Sequence, residues 1–200
     1  MSEVKLLGRW DTSDIKVEDP GLEKYISLEP VVVPKSFGRH TQQQFHKSYA
    51  NIVERLATHL YVPGHRGKKH LISSGRNVGK TFKVWKIIID AFDIIEKQTK
   101  KNPVEVYVRA LENAALREEI TSFQVGGIIV RKAVITAPQR RIDIALRKMS
   151  QGSYQKSFGK DNTTAQALAD EILGAYEYNP QKSHAIREKE RIERESLSSR

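Results

Sequence analysis

The sequence predicts a mainly α fold: a single-domain helical bundle of about six helices with one protruding β-hairpin and an extended N-terminal arm. Three observations support this prediction. Apolar residues recur at helical spacing through most of the 200-residue chain. The spacing changes to every second residue on both sides of Gly126-Gly127. Residues 1–34, in contrast, show no sustained period and are interrupted by prolines.

The first 34 residues differ from the rest in charge as well as in pattern. They carry four basic and seven acidic residues, and Pro30 and Pro34 exclude a continuous helix. We therefore divide the chain into an acidic N-terminal extension, or arm, over 1–34 and a helical domain over 35–200.

The first helix is predicted to begin at Thr41 and to end before Pro63-Gly64. Thr41 and Gln44 have the spacing of a capping box, in which each side chain accepts a hydrogen bond from the backbone amide of the other residue. The predicted apolar face contains Phe45, Tyr49, Ile52, Val53, Leu56 and Leu60.

A second helix is predicted over 78–99, and a third begins at Asn102-Pro103. Asparagine is a favourable N-cap, and proline suits the first helical turn because its missing amide would have no partner there. The predicted apolar stripe of the second helix contains Phe82, Trp85, Ile88, Ile89, Phe92 and Ile95.

A β-hairpin is predicted at about 119–136, because runs rich in β-branched residues lie on both sides of Gly126-Gly127. Two consecutive glycines tolerate the positive φ angles of a two-residue hairpin turn.

Three further helices complete the predicted bundle. One starts at Thr136 and runs to about Ser150, and the next is capped by Asp161 or Asn162. The last, over 183–196, alternates in charge and has few apolar residues. That pattern is typical of a helix that is exposed to solvent or held against something outside the core.

Positive charge is concentrated in two blocks. Residues 35–86 contain eleven Lys or Arg residues and one acid, Glu54, so this block has a net charge of +10. Residues 121–160 contain eight basic residues and one acid, Asp143. Such charge repels itself when the chain folds, and a polyanionic partner compensates for that cost. The blocks therefore indicate nucleic-acid binding, with a solvated basic surface as the alternative.

One segment is similar to a phosphate-binding P-loop but departs from it. Residues 74–81 read SGRNVGKT, so Ser74 stands where the pattern Gly-x-x-x-x-Gly-Lys-Ser/Thr requires its first glycine. The preceding Leu71-Ile72-Ser73 is too short and polar for the central strand of a nucleotide-binding sheet. We therefore reject an NTPase and interpret the segment as a loop whose backbone can approach a phosphate.

No enzyme, cofactor or metal site is predicted. The chain has no cysteine, its histidines lack ligand spacing, and no nucleophile is placed beside a base. No apolar run reaches the roughly 18–20 residues of a membrane span, and the N-terminus lacks the apolar stretch of a signal peptide. We therefore expect a soluble, cytoplasmic protein that has no membrane partner.

Basic residues also follow the hairpin turn. Arg131 and Lys132 lie on the second predicted strand, and Arg140-Arg141 lie at the start of the next helix, where positive side chains are mildly unfavourable. A phosphate would compensate for these charges, and Arg147-Lys148 would extend the basic surface along the helix. A pair of exposed arginines is the alternative.

Short segments in a fixed order carry a family resemblance. They are Gly38-Arg39, IVERL at 52–56, GKK at 67–69, AFDII at 91–95, Asn102-Pro103, ALEN at 110–113, VGG at 125–127, PQRR at 138–141, ALR at 145–147, LADEI at 168–172 and AIREKE at 185–190. In this order they resemble the family of small-subunit ribosomal protein seven in its archaeal and eukaryotic form. The acidic start, Gly8-Arg9-Trp10-Asp11, is similar to the extension of archaeal and eukaryotic members.

The resemblance implies a structural constituent of the small ribosomal subunit that acts in translation and is not an enzyme. Family members bind the 3′ major domain of small-subunit rRNA and nucleate head assembly. Their hairpin reaches toward E-site tRNA and the mRNA exit path, and other head and platform proteins are neighbours. The rRNA-binding residues implied here are Lys35, Arg39, Arg66, Lys68, Lys69, Arg76, Lys80, Lys83, Arg140, Arg141 and Arg147. The hairpin tip near tRNA and mRNA would contain Gly126, Gly127, Arg131 and Lys132.

The chain departs from the family pattern in two places. Ile128-Ile129-Val130 follow the double glycine where an aromatic residue is common, so base stacking by the tip is not expected. Arg147-Lys148 stand where the family often has Arg-Trp. The alternative from another class is an architectural DNA-binding protein, because a basic helical domain with a β-ribbon has a similar composition.

Overall fold

The structure is a computed structural model that describes residues 4–64 and 76–199. Within these residues it contains six α-helices and one two-stranded antiparallel sheet, which confirms the predicted fold class. Short 3-10 turns lie before the first α-helix. The elements are α1 (Ile52–Leu60), α2 (Thr81–Thr99), α3 (Pro103–Ala114), β1 (Glu118–Val125), β2 (Ile128–Ile135), α4 (Pro138–Ser157), α5 (Thr164–Tyr176) and α6 (His184–Leu197). None of these helices is both long and apolar enough to cross a lipid bilayer.

Helix α5 lies at the centre of the bundle and packs against α2, α3 and α4. Its sequence is rich in alanine, and small side chains let neighbouring helices approach closely. The helix is capped by Thr163, not by the predicted Asp161 or Asn162. The Thr163 hydroxyl accepts from the amide of Gln166, and the Gln166 side chain accepts from the amide of Thr163, both at 3.2 Å.

Helix α1 begins at Ile52, much later than the predicted Thr41. Thr41 ends a 3-10 turn, and its hydroxyl donates to the carbonyl of Gly38 at 2.6 Å, so the predicted capping box does not form. The cap is Asn51, whose side chain accepts from the amide of Val53 at 2.9 Å. Of the predicted apolar face, Phe45 and Tyr49 are exposed, whereas Ile52, Val53, Leu56 and Leu60 are buried.

Helix α2 begins at Thr81, and its buried face differs from the predicted stripe. Phe82 was expected in the core but is 93% exposed. A helix rotates by about 100° per residue, which places Phe82 roughly 120–160° away from Val84 and Ile88. The buried residues are Val84, Ile88, Ala91, Phe92 and Ile95.

The predicted start of α3 is confirmed. Pro103 is the first helical residue, and the side chain of Asn102 accepts from the amide of Val104 at 3.0 Å.

Helix α4 begins at Pro138 and has no side-chain cap, so the predicted start at Thr136 is wrong. Thr136 is buried, and its hydroxyl has no hydrogen-bond partner within the described residues. The helix continues to Ser157, past the predicted end near Ser150.

The predicted hairpin is confirmed. Val125 pairs with Ile128 across the turn, and Glu118 pairs with Ile135 at the base. The turn residues Gly126 and Gly127 have φ angles of 54° and 87°, a left-handed conformation that glycine adopts without strain.

The N-terminal residues contribute to the core of the bundle. Leu6, Trp10 and Leu22 are buried in the same apolar cluster as the helices. The indole of Trp10 packs edge-on against Phe92, with ring centroids 5.4 Å apart, and donates to the Glu96 carboxylate at 3.0 Å. The arm therefore packs on the helices, while its division from the domain at residue 34 stays a prediction.

Helix α6 packs against β1 and α4. Its N-cap Ser183 accepts from the amide of Ile186, and Ala185 and Ile186 belong to the core. One short face of α6 is therefore buried in the core. The charge pattern predicted a helix that is exposed or held outside the core, so this buried face was not expected.

Candidate nucleic-acid interface

The two basic blocks of the sequence meet in the structure at Asp143. This carboxylate, the one acid within 121–160, forms an ion pair with Lys47 and accepts from Nη2 of Arg55 at 3.0 Å. Both cations belong to the block at 35–86. Arg55 lies on α1 and Asp143 on α4, so the pair holds these helices together. The fold therefore brings the blocks side by side, as binding of both to one RNA requires.

The single acid of the first block is also used within the chain. Glu54 accepts hydrogen bonds from the amide of Ser36 at 2.6 Å and from its hydroxyl at 2.7 Å. These bonds fix the segment before α1 against that helix. Lys35 and Arg39 are consequently presented on an anchored segment.

Three of the predicted rRNA-binding lysines lie together. Lys35, Lys80 and Lys83 are exposed and line one shallow cleft at the start of α2. Within residues 4–64 and 76–199 none of the three forms an ion pair. Because their charges are not neutralised there, these lysines can meet an anion from outside the chain.

The structure does not bring the remaining predicted residues of the first block that it describes into this cleft. Arg39 is exposed, and its Nε donates to the carbonyl of Ser36 at 3.2 Å. Arg76 is exposed at the start of the second described range. Arg66, Lys68 and Lys69 lie outside the described residues, so their role stays a prediction.

The arginines at the start of α4 have anions within the chain. Arg140 donates to both carboxylate oxygens of Glu119, from Nε at 2.6 Å and from Nη2 at 2.7 Å. Arg141 donates to Asp19 at 2.6 Å and to the carbonyl of Leu116 at 2.7 Å. The predicted need for a compensating anion is therefore met internally, and contact of these arginines with phosphate stays a prediction.

The two arginines differ in exposure and hence in what they can reach. The side chain of Arg140 is 60% exposed, whereas that of Arg141 is 12% exposed. Burial of Asp19 opposes its charged form, but hydrogen bonds from Arg141 and from the amide of Gly21 outweigh that effect and lower its pKa. Arg141 therefore serves to attach the N-terminal segment to α4.

A larger cleft of about 1030 Å³ lies between α1, α4, α6 and β1. Arg140 and Arg147 line it, together with His59 and His184. Arg147 is exposed and has no ion-pair partner among residues 4–64 and 76–199. Of the predicted residues on α4, Arg147 is thus the one most available to a phosphate.

Burial and neighbouring charges set the protonation of the groups in this cleft. Burial lowers the pKa of His59 to about 4 against the attraction of Asp143, so this imidazole is neutral at neutral pH. Burial opposes ionisation of Glu188, but hydrogen bonds from Arg191 and Lys148 prevail and lower its pKa to about 2. The positive charge of the cleft therefore comes from Arg140, Arg147 and Lys148, and Lys148 is paired with Glu188 at 3.0 Å.

The hairpin projects two cations and an apolar tip. Gly126 and Gly127 form the turn, and Arg131 and Lys132 are exposed near the middle of β2, opposite Ser122 and Thr121. Successive residues of a strand point to opposite faces, so the two cations lie on different sides of the hairpin. The tip also exposes apolar side chains, with Ile128 at 71% and Ile129 at 70%.

Sequence reasoning did not single out Phe82 or His59 as residues of this surface. Phe82 was placed in the core by its helical spacing, although the flanking Lys80 and Lys83 could have indicated an exposed position. The lowered pKa of His59 depends on burial within the fold, which no local pattern predicts. Across the described residues, no group of three His, Cys, Asp or Glu residues could hold a metal ion.

Comparison with known proteins gives a consistent result. The chain matches the family described as ribosomal protein S7p/S5e over residues 22–200. It is 48% identical over 198 residues to the small ribosomal subunit protein uS7 of Nanoarchaeum equitans (strain Kin4-M). These aligned residues make up 99% of this chain and 100% of that relative. It is 42% identical over 198 residues to the proteins of the same name from Methanococcus maripaludis strains C7 and C6, with the same coverage.

Proposed function

Because this chain belongs to the ribosomal protein S7p/S5e family, we propose that it binds the 3′ major domain of small-subunit rRNA where its two basic blocks meet. The chain is a structural constituent of the small ribosomal subunit, and rRNA binding is typical of its family. The family predicted from the ordered motifs is thereby confirmed.

The main support for this binding surface is the pair of ion pairs that Lys47 and Arg55 form with Asp143. The Arg55 pair joins α1 to α4, and the Lys47 pair joins the segment before α1 to the same helix, so the cations of residues 35–86 and 121–160 can face one RNA segment. Exposed lysines at the start of α2 and the exposed Arg147 neutralise phosphates, and the released counterions drive binding without reading the sequence. The rigid bundle and the hairpin supply the shape that structured RNA requires.

The proposal extends to the position of the protein in the subunit. The chain binds early, nucleates assembly of the head, and resides in the cytoplasm as part of the ribosome. Its hairpin lies near E-site tRNA and the mRNA exit path, with Arg131 and Lys132 available to the backbone of either RNA. Other head and platform proteins are its neighbours.

Competition binding of the full-length chain tests the rRNA assignment. The proposal expects tighter binding to a transcript of the 3′ major domain than to a transcript of another rRNA domain or to duplex DNA. Preference for duplex DNA would instead support an architectural DNA-binding protein.

A matched pair of variants locates the surface. Lys80→Ala with Lys83→Ala is expected to reduce the slope of log affinity against log salt by about 0.7–0.9 for each phosphate that is no longer neutralised. Lys24→Ala with Lys97→Ala removes two exposed lysines that do not line that cleft, and Lys97 lies at the opposite end of α2. Equal effects of the two pairs would contradict a localised interface.

A further inference from the structure

Phe82 is a large apolar side chain in an unusual position. It lies in the first turn of α2 and is 93% exposed, more than any other large apolar residue among those described. Water contact with a phenylalanine ring is unfavourable by about 25 cal/mol per Å² of apolar area. A ring held in this position therefore gains most from a partner that covers it.

The surroundings of Phe82 are positively charged. Lys80 and Lys83 flank it in sequence, and both line a cleft of about 430 Å³ together with Phe82 and Lys35. Lys86, four residues after Phe82 and exposed, lies on the same helix face. The sequence has no acidic residue from 76 to 89. The electrostatic field around the ring therefore selects an anionic partner and disfavours a typical protein surface.

A second aromatic ring extends this surface. Phe37 is 75% exposed, and Nζ of Lys35 lies 4.6 Å from its ring centroid. Lys35 thus contacts one exposed ring and lines the cleft that contains the other.

Exposed aromatic rings among lysines are the arrangement with which proteins bind single-stranded nucleic acid. The bases stack on the rings, and the lysines neutralise the phosphates between them. We propose that Phe82 is a stacking platform for an unpaired RNA base, with Lys80, Lys83 and Lys35 on the adjoining phosphates. The inference rests on the proposed function, since it assigns an unpaired nucleotide of the bound RNA to one residue of that surface.

Stacking and phosphate neutralisation have different dependences on salt, and this separates the roles of Phe82 and Lys83. Binding of the full-length chain to a short single-stranded oligoadenylate is measured by fluorescence anisotropy across a salt series. Phe82→Ala is expected to weaken binding about fivefold or more at every salt concentration without changing the salt slope. Lys83→Ala is expected to reduce the slope by about 0.7 for one phosphate.

The chemistry of the replacement distinguishes stacking from general apolar contact. Phe82→Trp is expected to keep the affinity within about twofold of the unchanged chain, because indole has a π-face, whereas Phe82→Leu is expected to bind as weakly as Phe82→Ala. Phe158→Ala is the matched control, since Phe158 is 66% exposed but already stacks on Tyr154 at a centroid distance of 5.3 Å. It should bind the oligonucleotide like the unchanged chain.

Several results would overturn the inference. Unchanged oligoadenylate binding by Phe82→Ala would do so, as would equal binding by the Leu and Trp variants. A Phe82→Ala chain that binds RNA normally but fails to recruit another ribosomal protein in reconstituted subunits would assign the ring to a protein partner. The proposed function fails separately, if the unchanged chain shows no preference for the 3′ major domain transcript.

Discussion

Arg55 on α1 donates from Nη2 to Oδ1 of Asp143 on α4 at 3.0 Å, and its side chain is only 6% exposed. The same guanidinium donates from Nη1 to the carbonyl of Tyr25 at 2.9 Å. A buried arginine without an anion would be strongly unfavourable. The one acid of the second basic block thus makes it possible for a cation of the first block to lie inside the fold.

Asp143→Asn is therefore expected to destabilise the chain by about 2–3 kcal/mol. Asparagine keeps the shape of the side chain but leaves the charge of Arg55 buried without a counter-ion. Part of the Asp143 side chain, 22%, is exposed, which places the cost below that of a fully buried pair. Urea unfolding measures the loss as a lower midpoint at an unchanged m-value.

Glu195→Gln provides the comparison for this substitution. It breaks the ion pair with Arg191, in which both side chains are about half exposed, at 53% and 51%. Exposed pairs of this kind contribute about 0.3–0.5 kcal/mol. Equal losses for the two variants would mean that Arg55 finds another partner when Asp143 is neutral.

The features that local chemistry determines could be predicted from the sequence. Asn102-Pro103 starts α3 because cap and first turn depend only on neighbouring residues. Gly126-Gly127 forms the hairpin turn because both residues must adopt positive φ. The positions of the two basic blocks could also be read from the sequence, and the family could be predicted from the order of its motifs.

The features that depend on tertiary contacts could not be predicted. Thr41 has the spacing of a capping box, but Asn51 caps α1, and its side-chain amide also donates to the carbonyl of Glu29 at 2.9 Å. The partner of Arg141 is Asp19, at a sequence separation of 122 residues. Helical spacing alone placed Phe82 in the core, because Phe82 shares a helix face with the apolar Trp85 and Ile89, and the spacing does not show that this face is only partly covered.

Arg141 and Arg147 lie on the same helix but are expected to respond differently to substitution. Arg141→Ala removes the arginine donor of the Leu116 carbonyl and leaves Asp19 with the amide of Gly21 but no counter-ion, so a loss of about 2 kcal/mol of stability is expected. The salt slope of rRNA binding should stay unchanged, because the side chain is largely buried. Arg147→Ala should instead keep the stability and reduce the slope by about 0.7–0.9 if it meets one phosphate.

The pair is measured with two assays on the same preparations, urea unfolding and rRNA binding across a salt series. Arg141→Lys is a useful intermediate, because lysine restores charge but not the two directed hydrogen bonds. A normal salt slope for Arg147→Ala would remove this residue from the interface.

Acidification is expected to destabilise the chain through His59. Burial lowers its pKa in the fold to about 4 from an ordinary value of 6.5. Asp143 opposes this shift, whereas the positive charges of Arg147, Arg55 and Lys47 add to it. The unfolded chain therefore binds more protons between these values, and stability falls as pH decreases from about 6.5 to about 4. The total loss of unfolding free energy is about 1–3 kcal/mol and is complete below the pKa that His59 has in the folded chain.

Unfolding midpoints of the unchanged chain and of His59→Gln, measured across that pH range, test this expectation. Glutamine does not titrate, so the variant should lose much less stability on acidification. A smaller dependence should remain from His184, whose pKa burial also lowers. Identical pH profiles for the two proteins would show that His59 is protonated inside the fold or accessible to solvent.

Gly152 in the middle of α4 permits the close approach of α5 and α6. A Cβ atom at this position would lie 2.7 Å from the carboxyl group of Glu171 and 2.8 Å from Cβ of His184. Glu171 cannot yield easily, because it is fully buried and accepts from the hydroxyl of Ser183 at 2.8 Å and the amide of Ala185 at 2.9 Å. These bonds fix the first turn of α6.

Gly152→Ala is therefore expected to lower the unfolding free energy by about 1–2 kcal/mol, although alanine favours a helix by about 1 kcal/mol over glycine. The cost of overpacking exceeds this gain in helix propensity, because Glu171 and His184 belong to other helices that would have to move. Ser157→Ala, near the end of the same helix, should change stability by less than about 0.5 kcal/mol. A Gly152→Ala chain that unfolds at a higher urea concentration than the unchanged chain would mean that α6 shifts freely and that Glu171 does not fix its start.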